Sequence, residues 1–191
     1  MTNMQQIREN LSDMLGIEQH ALQRIERQTH DERVKKFSTA RGILQKIEGV
    51  LNSHIARLER HLSTVDGGVE AKLKKSAASI AGSIASVYDR FRTGEPVSRI
   101  LRDDYSVLNV AVIGYGMLHT TALALSDDEI AALAKAHMTD LTPLIVEMSD
   151  IIPFILADEL ADEGKIEYAA VAQQAVAQYR QAWSREVTMR V

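Results

Sequence analysis

Glu18 stands where the sequence pattern asks for an apolar side chain. Leu11, Leu15, Leu22 and Ile25 recur at intervals of three, four or seven, which is one face of an α-helix, and Glu18 falls on that stripe. A carboxylate on the core side of a long helix is costly unless it is hydrogen-bonded, ion-paired or bound to a metal. The chemistry on offer is that of a buried proton site or an oxygen ligand. His54 also lies on an apolar stripe, three residues past Leu51. Its nearest partner in sequence, His61, is two helical turns away, too far for one metal without help. His20, His30, His61 and His119 have no second ligand at i+3 or i+4 and read as exposed or capping residues. Asp103-Asp104 and Asp127-Asp128-Glu129 fall near helix starts, where acids meet the positive end of the helix dipole.

Other chemistries are excluded more directly. No cysteine is present, which removes thiolate ligands, disulfides and a cysteine nucleophile. The serines lack a G-x-S-x-G context, so no hydrolase reading survives. Gly114-Tyr115-Gly116 lies inside a helical pattern rather than after a strand, so it is no phosphate loop; glycine there permits close helix packing. A net charge of −4 argues against nucleic acid as a partner. Lys72, Lys74 and Lys75 read as a solvated helix face. Met1 to Asn10 is too polar for a signal peptide, and the most apolar run, Val110 to Leu118, is shorter than a membrane helix needs. The expectation is a cytoplasmic protein without membrane contact.

The elements that must position these residues are helices. The chain of 191 residues suits one domain, 1–191, and 46% hydrophobic content supplies a core. Three prolines, ten glycines and no polar–apolar alternation argue against sheet. A first helix is expected from about Met4 to Gln28, with Asp31 as N-cap for the next helical segment. The second long helix carries Leu44, Ile47, Leu51, Leu58, Leu62 and Val65 on one stripe and ends at Gly67-Gly68. Val69 to Arg92 shows Leu73, Ala77, Ile80, Ile84, Val87 and Phe91 among small residues, a helix suited to crossing the bundle. Pro96 opens a fourth helix to about Leu125, and Ser126 with Glu129 reads as a capping box for a fifth. Pro143 and Pro153 predict kinks or breaks in that fifth helix. The core bundle spans about 4–163. A last helix, about 165–187, sets Val176, Tyr179, Trp183 and Val187 on one side, for the core or for a protein partner. Two long hairpins either side of a crossing segment make an all-α, antiparallel four-helix bundle of ferritin-like topology.

Residues 17–28 (IEQHALQRIERQ), 55–62 (IARLERHL) and 104–118 (DYSVLNVAVIGYGML) resemble a bacterial ferritin-like family of small stress-induced proteins, largely of unknown biochemical function. The resemblance covers roughly residues 8 to 150, with 73–86 resembling the connecting helix. It implies a four-helix bundle, often dimeric, with an internal position where ferritin relatives hold two irons. Such a centre takes one Glu from each of two helices and Glu-x-x-His from each of two others. Glu18 matches the first-helix glutamate. Glu48 comes level with it if the first hairpin turns near Glu32, but Leu51 stands where its histidine belongs, and His54 matches a family glutamine. On the fourth helix the acid's place falls to Ala111 or Leu108, and on the fifth His137-x-x-Asp140 presents the donor types in reverse order.

With so few donors, the resemblance implies a degenerate site and a non-catalytic, self-associating, stress-associated bundle without a cofactor. The competing reading is a metal-binding oxidase, peroxidase or iron-binding protein, holding iron or manganese through Glu18, Glu48, His137 and Asp140. If the site has decayed, Glu18 becomes a protonated or hydrogen-bonded core acid, bonded to Tyr115 or His137.

Overall fold

The computed structural model describes residues 3–65, 95–164 and 170–184, all of them in helices and short turns. In chain order the helices are α1 (Asn3–Thr29), α2 (Glu32–Lys35), α3 (Ser38–Val65), α4 (Val97–Ala124), α5 (Asp128–Asp162) and α6 (Ala170–Trp183). The crossing helix expected over Val69–Arg92, the glycines after Val65 and the lysine patch lie outside the described residues.

Four long helices close a ring of contacts in which α1 touches α3 and α4, and α5 touches the same two. Lys46 meets Glu147 and His54 meets Asp140 across α3 and α5. Met14 lies beside Gly114 and Gln28 bonds Asp104 across α1 and α4, while Ser98 bonds Glu159 and His119 meets the Ala131 carbonyl across α4 and α5. In each pair one number rises as the other falls, so these neighbours are antiparallel, and α1, which meets α3 at Glu18 and His54, opposes α3 as well. It follows that α3 and α4, at opposite corners, point the same way. The end of α3 sits beside the start of α5, where His61 pairs with Glu129, whereas Val97 sits against Glu159 near the end of α5.

Apolar stripes turned inward build the core: Leu11, Met14, Ile17 and Ile25 from α1; Leu44, Ile47, Leu51 and Leu58 from α3; Leu101, Leu108 and Leu118 from α4; Leu141 and Met148 from α5. Leu15 and Leu22 of the expected stripe are half-buried at its edge. Gly114 lets α4 come close to α1, because a Cβ there would sit 2.5 Å from the Met14 Sδ. On its outer side α4 exposes Val110, Ile113 and Met117. By length and composition α4 would pass for a membrane span, with 33% of its most apolar window buried, whereas the apolar run Val110 to Leu118 by itself is too short for one. Among the described residues it is alone in that respect.

The helix ends hold two differences from expectation. Asp31 caps α2 as expected, accepting from Arg33 N at 2.8 Å. The cap of α5, however, is Asp127, which accepts from Ile130 N at 3.1 Å, while Ser126 adopts a positive φ of 57°. Ser126 serves as the turn residue, and so its hydroxyl is not in the cap. The second difference is that α5 runs without a break through Pro143 and Pro153. Pro143 is exposed and so is Thr139, so the carbonyl that loses its helical donor lies on the solvent side. α6 packs on α5, with Arg180 bonded to Asp150, and leaves Tyr179 and Trp183 exposed.

Candidate metal centre

Three helices bring three donors together inside the ring. Glu18 from α1, His54 from α3 and His137 from α5 each have no exposed surface, and each offers a ligand atom within 4.8 Å of the other two. All three occupy core-stripe positions, so the packing that buries the leucines around them also buries the donors. Tyr115 of α4 closes the fourth side, edge-on to His137 with ring centroids 4.9 Å apart.

The imidazole of His54 lies between two carboxylates. Its Nδ1 is 2.9 Å from Glu18 Oε1, and its Nε2 is 3.2 Å from Asp140 Oδ2. His137 stacks on His54 with centroids 3.6 Å apart and planes within 4° of parallel. Parallel rings at that spacing put nitrogens side by side. Neither nitrogen of His137 has a hydrogen-bond partner, while the Tyr115 hydroxyl faces the Glu18 carboxyl. Two buried ring nitrogens without partners are expensive, since each gives up its water for nothing.

Electrostatics follow from the burial. Desolvation pushes the Glu18 carboxyl above the usual carboxylate range, opposed by its hydrogen bond to His54. His137 is pushed down to about 3, first by burial and then by its neighbours His54, Arg57 and His61. It is therefore neutral near pH 7, the form in which imidazole binds metals. Burial and the adjacent Glu18 raise the Tyr115 phenol.

Of the residues expected from sequence, Glu18 and His137 meet, and Tyr115 and His137 are level as the turn at Ser126 suggests. Asp140 lies one turn beyond His137, outside the group of three, with its side chain 45% exposed. Glu48 is half-buried on α3 and also outside that group. Its distance from Glu18 has a definite cause. The short helix α2 takes up the turn, so Glu18 faces His54, six residues or about 9 Å further along α3 than a turn at Glu32 would set. His54 is the donor that sequence reasoning passed over. Its signal was its place on an apolar stripe, the same signal that singles out Glu18.

Comparison with protein-family models, curated proteins and solved structures finds no match to this chain.

Proposed function

We propose that the protein is a helical-bundle metal protein that binds one divalent transition-metal ion between α1, α3 and α5. Glu18, His54 and His137 are the ligands. The observation that carries this reading is the unpartnered state of both His137 nitrogens, buried beside Glu18 and His54. Ligand atoms bonded at about 2.1 Å to one ion lie about 3–4 Å apart, and the stacked rings of His54 and His137 turn out of parallel so that both in-plane lone pairs meet the ion. Two imidazoles and one carboxylate suit iron, manganese, cobalt or zinc and leave coordination positions open for a small ligand. Three donors serve one ion, whereas a dinuclear centre needs about six.

A ferritin-like arrangement is supported by topology: antiparallel neighbours, one long return between α3 and α4, and inward donors at mid-helix. Elemental analysis tests the reading, on protein purified without chelator and again after anaerobic Fe(II) loading and dialysis. About one equivalent of metal per chain in the wild type, absent from Glu18→Ala, is the expected result. No retained metal in the wild type under either condition overturns it and restores the degenerate-site reading.

Self-association is a second reading, favoured by the exposed row Val110, Ile113 and Met117 along α4, an apolar patch of the kind that meets a second copy. A monomeric wild type in light scattering, unchanged by Ile113→Glu, would exclude it.

A further inference from the structure

We infer that Asp140 is a positioning residue: it holds His54 so that Nδ1 is the ligand atom. The inference rests on the metal-centre reading and assigns a role to a carboxylate that the three donors leave out. His54 has two nitrogens on opposite sides of its ring, and both are engaged. Nδ1 faces the fully buried Glu18 at 2.9 Å, and Nε2 faces Asp140 at 3.2 Å. An ion shared by Glu18 and His54 sits on the Nδ1 side, in place of the proton that joins them. The Nε2–H is then donated to Asp140. That bond fixes the tautomer and the ring plane and makes Nδ1 the more electron-rich atom.

Asp140 does not serve as a ligand to the same ion, because the lone-pair directions of Nδ1 and Nε2 diverge. Exposure separates the two carboxylates in the same sense. Glu18 has no exposed side-chain surface, whereas Asp140 is 45% exposed. The helix makes the pairing natural, since His137 and Asp140 are one turn apart on α5. One turn of helix supplies a ligand and the group that orients a second ligand on α3.

The test is a Co(II) titration of the full chain followed by visible absorption, whose band positions report donor set and coordination number. Wild type, Asp140→Ala, Asp140→Asn and Glu18→Gln are compared, with circular dichroism to verify folding. The expected result for Asp140→Ala is an unchanged band pattern with affinity lowered about 10- to 100-fold. Asp140→Asn should recover part of the loss, because its amide oxygen still accepts from Nε2–H; it also decides the matter if Asp140→Ala does not fold. Unchanged affinity in both variants overturns the orienting role. A shifted band pattern in Asp140→Ala overturns it in favour of direct ligation. A wild type that binds no Co(II) overturns the metal-centre reading and this one with it, whereas loss confined to Glu18→Gln overturns this one alone.

Discussion

Two buried carboxylates, Glu18 and Asp104, sit at different levels of the same ring, and their neighbours are opposite in kind. Asp104 lies on α4, two turns in from its start, and is 3% exposed. Its Oδ1 accepts from the Gln28 amide at 3.2 Å and lies 3.5 Å from the Arg24 guanidinium. The expected place near a helix start, facing the dipole, holds for neither Asp103 nor Asp104, because the first turn of α4 contains no acid; Asp103 instead bonds the adjacent Arg102. A permanent cation and an amide donor make the Asp104 cluster a cross-link between α1 and α4. Glu18 instead has titratable neighbours and a stacked histidine with no hydrogen-bond partner at all. The lesson is that burial alone does not mark a ligand. What marks it is a set of unpartnered lone pairs that converge on one volume.

Breaking each cluster should have different consequences. The largest effect is on metal: Glu18→Gln should abolish retention of metal, read by elemental analysis, while the melting temperature of the metal-free chain moves little. Gln preserves a hydrogen bond to His54 and removes a buried acid. Next comes Arg24→Leu, which leaves Asp104 buried without its cation and should cost about 3 kcal/mol or more in urea unfolding above pH 7, where the carboxyl is ionised. Leucine at both positions should recover much of that loss, as expected for a structural ion pair, with no change in metal content.

The third effect is on pH dependence. Burial, more than the opposing Arg24 and Gln28, raises the Asp104 carboxyl to about 7 from an ordinary value of 3.8. Between these values the unfolded chain releases a proton that the folded chain keeps, so this group's contribution to stability falls as pH rises. Asp104→Asn should flatten the stability profile between pH 4 and 7, by up to about 1.4 kcal/mol per pH unit. A profile unchanged by Asp104→Asn would show that the pair stays ionised throughout.

The smallest effect belongs to Tyr115→Phe. It deletes a buried hydroxyl that faces Glu18 and should lower the stability of the metal-free chain by about 1 kcal/mol or less. A loss of several kcal/mol would mean that the hydroxyl supports the Glu18 side of the centre.

Helix periodicity carried much of the architecture. Spacing of three and four located the long helices to within a residue or two at Thr29, Val97 and Ala124, because an amphipathic stripe is a local property of the chain. The same stripe identified Glu18 as out of place and set His54 on the core side of its helix. The caps were less legible. Ser126 and Asp127 are both good cap residues, and the choice between them depends on which one takes the positive φ in the turn.

The membership of the site was beyond sequence. Which residue of α3 faces Glu18 depends on how many residues the turn consumes, and α2 shifts that register by six positions, from Glu48 to His54. Side-chain period tells which face of a helix is buried but not its height against a neighbour. That height is set by turn geometry and by packing between helices. The sequence by itself determined that the chain is helical, which faces turn inward and that an acid and a histidine are buried on them. Only the tertiary structure decided that Glu18, His54 and His137 share one volume, that Asp140 takes the far nitrogen of His54 and that Asp104 has a cation of its own.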